Sequence, residues 1–153
     1  MRTMRSSNGF SLIEFMVALL ILSILVGVAM PGFVDFLRRQ SVSSSANSAL
    51  MMMQYARSEA IKRQSNIAVN FLSDSSSWTI EVRLDDTDEL LRTLKKDDVQ
   101  TGWSGDNQVI FDLRGRPGTP SCMQLAVSGD SSILRHIEVF SGGKIAVKEG
   151  TCG

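Results

Sequence analysis

The chain reads as α+β: one long N-terminal helix, apolar in its first half and amphipathic in its second, packed on a small antiparallel β-sheet or sandwich. Three observations predict this. Phe10 to Met30 is a run of 21 residues whose only charge is Glu14. Farther on, Ala46, Ala49, Leu50, Met53, Ala56, Ala60 and Ile61 recur at three- and four-residue steps, the period of one helix face. Beyond residue 65 the apolar period shortens to two, the signature of half-buried strands. These shifts divide the chain into a short basic head (1–9), a membrane-spanning helix (10–30), its amphipathic continuation (31–64) and a β-rich domain (65–153).

As a helix, Phe10–Met30 would be about 30 Å long, the thickness of a bilayer's hydrocarbon core. A cleaved secretory signal has a shorter apolar core and ends at small residues. Here the run is longer, and Met30-Pro31-Gly32-Phe33 offers no such site. The preceding nine residues carry Arg2 and Arg5 and no acid. The positive-inside tendency therefore keeps the N-terminus cytoplasmic and sends everything after Met30 across the membrane. Glu14 stands against this apolar background: a carboxylate at the centre of a membrane helix costs roughly 2.5–3.5 kcal/mol. It either snorkels to the interface or meets a cation inside an apolar assembly.

Pro31-Gly32 is expected to interrupt the helix with a bend or a locally melted turn, because proline lacks an N–H and crowds the carbonyl four residues back. Helical periodicity resumes downstream and should persist to about Arg63. The serine-rich stretch Ser41–Ser48 contains neither Pro nor Gly and reads as a solvated helix surface, with Arg38 and Arg39 near lipid head groups. On the last turns Met53, Ala56 and Ala60 should face a core while Arg57, Glu59, Lys62 and Arg63 stay in water.

Two stretches carry a family resemblance. Gly9-Phe10-Ser11-Leu12-Ile13-Glu14 resembles, in all six positions, the prepilin cleavage motif of type IV pilins and type II secretion pseudopilins. The resemblance implies that a prepilin peptidase cuts between Gly9 and Phe10 and methylates the new amino terminus at Phe10. It also implies that Glu14 pairs with the amino terminus of a neighbouring subunit during assembly, which accounts for a carboxylate at that depth. Tyr55-Ala56-Arg57-Ser58-Glu59-Ala60 is similar to the signature of the GspH/FimT subgroup, which comprises minor pilins and the minor pseudopilin H. The implied fold is pilin-like. The implied partners are the peptidase, other minor and major pilins or pseudopilins, an inner-membrane assembly platform and membrane lipid. The implied location is the bacterial inner membrane, single-pass with a periplasmic domain, and then the filament.

Strands are expected at Ile67–Leu72, Trp78–Leu84, Val109–Phe111, Cys122–Val127, His136–Phe140 and Lys144–Val147. Asp74-Ser75-Ser76-Ser77 should turn the chain between the first two, Ser141-Gly142-Gly143 between the last two. The acidic segment Asp85–Glu89 should be an exposed loop. Cys122 and Cys152, both in an oxidising compartment under this topology, are expected to form a disulfide that staples the C-terminal tail.

Composition excludes little but directs attention. There are 16 basic and 16 acidic residues, and loss of the leader with Arg2 and Arg5 leaves 14 against 16. That balance does not advertise nucleic acid. The single histidine, His136, sits in a strand pattern with no Ser/His/Asp set around it, the two cysteines lack zinc spacing, and the acidic loop lacks calcium-loop spacing. No catalytic residue, metal or cofactor is expected. Within the resembled subgroup some FimT-like minor pilins bind DNA through a Gly-Arg-x-Arg loop. Here Gly143-Lys144 retains one cation of that pattern, and Arg114-Gly115-Arg116 with Lys95-Lys96 could form another basic patch. Three readings follow, in order: a minor pilin that primes or caps a type IV pilus, a type II secretion pseudopilin, and a DNA-binding minor pilin.

Overall fold

A computed structural model describes residues 11–74, 76–97, 101–127 and 130–152. Helix α1 spans Leu12–Arg63. Eight strands follow: β1 (Ile67–Ser73), β2 (Trp78–Leu84), β3 (Leu90–Lys96), β4 (Thr101–Gly105), β5 (Gln108–Phe111), β6 (Ser121–Val127), β7 (Asp130–Val139) and β8 (Ile145–Glu149). The chain divides into two units at Leu37/Arg38.

The described part of the first unit is helix from Leu12 onward. Its large apolar side chains, from Leu12 to Leu37, are exposed. The expected interruption at Pro31 and Gly32 does not occur as a break: α1 is helical through both. Proline removes only one backbone bond, and the turns on either side keep theirs; apolar helices tolerate such a residue for this reason.

The second unit holds the core. From α1, Ala49, Met52, Met53, Ala56 and Ala60 are buried against Val69, Ile80 and Phe111 on one side and Met123, Ile137 and Val139 on the other. A second cluster joins Val42 and Ala46 to Leu125, Val127 and Ile133. Alanines at the helical period let the backbone come close, and the larger strand residues fill the space beneath. The helix ends at Arg63, where Gln64 adopts a left-handed φ of 54° and turns the chain into β1. Lys62 and Arg63 also place positive charge at the helix's negative end.

Two four-stranded antiparallel sheets share this core, in the orders β3-β2-β1-β5 and β4-β6-β7-β8. The expected strands are present with small shifts: β7 begins earlier than His136, and β8 runs to Glu149. β3 and β4 were not foreseen. β3 is a largely exposed edge strand with no clean alternation. β4 carries two glycines in five residues and is held from outside itself. Its Trp103 packs on Phe71 at 5.1 Å and edge-on to Trp78 at 5.9 Å, joining the two sheets. Both expected turns form. Asp74 Oδ1 accepts the backbone N–H groups of Ser76 (2.7 Å) and Ser77 (2.6 Å), and Phe140–Lys144 closes the β7–β8 hairpin. The acidic segment Asp85–Glu89 is an exposed loop, as expected.

Candidate functional site

Glu14, expected from the resemblance to act in assembly, lies in the first turn of α1, exposed. There its amide and that of Phe15 donate to the Ser11 carbonyl at 3.1 and 3.2 Å. A carboxylate at that end complements the positive pole of the helix. The expected cleavage residues Gly9 and Phe10 lie outside the described residues. The apolar helix beyond Glu14 is long enough to cross a membrane.

At the opposite end of α1, Arg57 was expected in water and is instead half-buried, its Nε enclosed and without a hydrogen-bond partner among the described residues. Two glycine turns explain this. Gly115 (φ 72°) and Gly143 (φ 81°) lie back to back over the arginine: a Cβ on Gly143 would collide with the Gly115 carbonyl oxygen and come within 3.2 Å of the Arg57 guanidinium. Only residues without a side chain allow that approach. Asp112 shapes the first turn, its Oδ1 accepting the N–H groups of Arg114 and Arg116, each at 2.9 Å. Those two donors, that of Arg116 first, hold the Asp112 carboxyl below its ordinary range. The structure therefore brings together what the sequence keeps apart: Arg114, Arg116 and Lys144 are exposed on two touching turns. Lys144 lies 5.8 Å from the centre of the Phe140 ring.

Glu59, also expected in water, is buried at 7% exposure. It holds Arg63 at 2.7 Å and Lys62 at 3.4 Å, and the Arg63 hydrogen bond lowers its pKa most. Ser45, in the stretch read as solvated, is buried under β3 and accepts a bond from Lys96 Nζ at 2.6 Å.

The staple is present. Cys122 and Cys152 are bonded, with Cα atoms 5.9 Å apart and a sequence separation of 30. The tail after β8 folds back over β7, covering His136. The imidazole Nδ1 lies 2.9 Å from the Gly150 carbonyl and Nε2 3.2 Å from Glu138. Glu138 also takes Lys148 Nζ at 2.6 Å, and that bond is the main reason its carboxyl titrates low. His136 is a buried structural clamp for the tail. Among the described residues no His/Cys/Asp/Glu group is arranged to hold a metal.

One long helix closing the core of two antiparallel sheets, with an N-terminal half whose large apolar side chains are exposed, defines a pilin-like protein. More particularly, residues 45–143 match the family model of the type II transport protein GspH, and residues 4–30 match the prokaryotic N-terminal methylation motif. The chain belongs to the GspH family, whose members are structural pilin-type subunits. Among solved structures, it is similar to two crystal forms of the type IV minor pilin FimU of Pseudomonas aeruginosa PAO1. The P21 form shows 20% identity and a TM-score of 0.59, over 74% of this chain and 92% of that one. The P65 form shows 21% and 0.55, over 71% and 91%. A comparison with curated proteins returned no match.

Proposed function

We infer that this chain is a minor pilin: it is cut by prepilin peptidase between Gly9 and Phe10, methylated on Phe10, and built into a type IV pilus that it primes or caps. The observation that carries this reading is the apolar helix, whose large side chains from Leu12 to Leu37 are all exposed. Such a surface is stable only in lipid or among like helices, and a pilin occupies each in turn. Before assembly the helix anchors the chain in the inner membrane with the domain in the periplasm. On assembly it packs among the helices of other minor and major pilins at the inner-membrane platform. Glu14 then offsets the methylated amino terminus of a neighbouring subunit, a pairing that repays the cost of a carboxylate at that depth. The domain contributes no chemistry of its own; it is the part that neighbours recognise.

Two further readings each have a supporting observation. The family description favours a pseudopilus of type II secretion, which would use the same helix, cleavage and Glu14. The gathered cations Arg114, Arg116 and Lys144 favour contact with the phosphates of DNA.

Intact-mass and N-terminal analysis of the membrane protein, made with and without a prepilin peptidase, tests the common core. Loss of residues 1–9 only with the peptidase, and a methyl group on Phe10, supports it; a chain that stays full length refutes it. Deletion that abolishes twitching but spares secretion selects the pilus, and the reverse selects the pseudopilus. Absence of salt-sensitive DNA retention by the purified protein removes the third reading.

A further inference from the structure

Ile67 opens β1 and pairs with Leu84 of β2 on one side and Phe111 of β5 on the other. The acidic loop Asp85–Glu89 follows Leu84, and the turn bearing Arg114 and Arg116 follows Phe111, so both leave the sheet at one end, on either side of β1. Neighbouring strands lie about 4.8 Å apart, which roots the two loops about 10 Å from each other. We propose that the basic turns receive the acidic loop of a second copy of this chain, Arg114, Arg116 and Lys144 of one copy meeting Asp85 and Asp86 of the other. The proposal rests on the filament-subunit reading above and names one contact of that assembly.

Unmet charge is the first argument. The side chains of Arg114, Arg116, Asp85 and Asp86 are exposed and make no hydrogen bond or ion pair among the described residues. Asp112 feels both guanidinium charges, but its Oδ1 is taken by the backbone N–H groups of the same two arginines, each at 2.9 Å. Lys144 lies against the Phe140 ring, which leaves its charge uncompensated by an anion. A planar guanidinium pairs with a carboxylate through parallel N–H donors, and opposite charges across an interface steer the encounter and fix its register.

Separation is the second argument. The acidic loop is held toward the β3 edge, where Arg83 Nη1 donates to the Asp88 carbonyl at 2.9 Å and faces the Asp88 carboxylate at 3.4 Å. The basic turn is held the other way, against α1: a Cβ on Gly115 would lie 2.8 Å from the Ile61 side chain and 3.0 Å from that of Arg57. Within one copy the two patches are thus tied to different elements, and no ion pair joins them among the described residues. A second copy offers each patch the charge that its own chain keeps out of reach.

The acidic loop also decides between a protein and a nucleic acid on these turns. A phosphate backbone laid across them would run past Asp85, Asp86, Asp88 and Glu89 about 10 Å away, roughly one Debye length at 0.1 M salt. A short loop presents its carboxylates at one point and meets the cations without crossing that acidic side. Both basic turns are fixed before a partner arrives, the first by Asp112 and the second by the Phe140 N–H bond to the Lys144 carbonyl (2.9 Å), which lowers the entropy lost on docking.

The test uses the full chain in phosphatidylcholine vesicles, mixed from isotope-light and isotope-heavy copies and treated with a zero-length carbodiimide. Crosslinks from Lys144 to Asp85 or Asp86 should join one light and one heavy peptide and fall severalfold at high salt. When the heavy copies carry Arg114→Glu and Arg116→Glu and the light copies are unchanged, links from heavy Lys144 to light Asp85 or Asp86 should fall severalfold. Links from heavy Asp85 or Asp86 to light Lys144 should persist, which shows that the variant is folded. Mixing those variant copies with copies carrying Asp85→Lys and Asp86→Lys should link the new amines to the new carboxylates. Crosslinks confined to one isotope, links that ignore salt, links kept in both directions, or no links in the reversed pair would each overturn the proposal. DNA retention lost with Arg114→Glu and Arg116→Glu, without mixed-isotope links in the parent, would make nucleic acid the occupant and overturn it as well. Flotation with the vesicles at high salt reports the membrane reading separately: a chain that stays in solution refutes that reading and leaves the crosslinks to decide the contact.

Discussion

Replacing Gly143 by alanine tests whether the two glycine turns are locked on Arg57. Gly143 has a φ of 81°, where a Cβ costs about 1–2 kcal/mol. The added methyl would also overlap the Gly115 carbonyl oxygen and press on the Arg57 guanidinium at 3.2 Å. The Gly115 carbonyl belongs to a turn held by the Gly115 N–H bond to Asp112 (2.8 Å) and by two donors on the Asp112 carboxylate, so it has little room to retreat. Overpacking of this kind adds about 1–3 kcal/mol, giving a loss of roughly 2–5 kcal/mol for Gly143→Ala. Gly142, one residue earlier, has nothing among the described residues within 4 Å of its Cβ position. Gly142→Ala should therefore stay within about 0.5 kcal/mol of the parent. The assay is urea unfolding of the full chain in detergent with the disulfide intact, the two variants side by side. A Gly143→Ala loss no larger than that of Gly142→Ala would refute the back-to-back packing, and with it the gathering of Arg114, Arg116 and Lys144.

Three further outcomes are expected. Changing Cys122 and Cys152 to serine opens a 30-residue loop and should cost about 3–4 kcal/mol in the same unfolding experiment; no change under oxidising conditions would show that the staple contributes nothing. The Asp74 carboxyl is lowered from 3.8 to about 2, chiefly by the backbone N–H of Ser76 and then by Ser77. Because its folded pKa is depressed, its contribution is complete above about pH 4 and disappears as pH falls to about 2. Asp74→Ala should flatten that part of the acid limb in a pH series of unfolding midpoints, and an unchanged limb would count against it. Glu14→Ala should leave peptidase cleavage intact and reduce recovery of the protein in sheared filaments by tenfold or more, about 1.4 kcal/mol; normal incorporation would remove the pairing role.

Much of the protein was legible because the signals are local. A run of 21 residues with one charge at its head needs no tertiary context to be read as a helix for an apolar environment. The alternation in Trp78–Leu84 is likewise carried by the residues themselves, and every second one of its first five is buried. Turn chemistry was readable at Asp74 and at Gly142-Gly143, since each supplies a short-range need of the backbone. The disulfide followed from two cysteines and a topology.

Other features depend on distant partners. β3 shows no alternation because it is an edge with most of its side chains in water, and its pairing with β2 alone makes it a strand. β4 has poor propensity and exists because β6 supplies its ladder and Phe71 and Trp78 receive Trp103. Glu59 was expected in solvent because it is charged, yet fold packing buries it and Arg63 neutralises it. The sequence by itself determined the long helix, its apolar half and most of the strands, because period and charge act over a few residues. Which sheet each strand joined, which turns met over Arg57 and where the tail crossed His136 were decided only by the tertiary structure, because these depend on contacts between residues tens of positions apart.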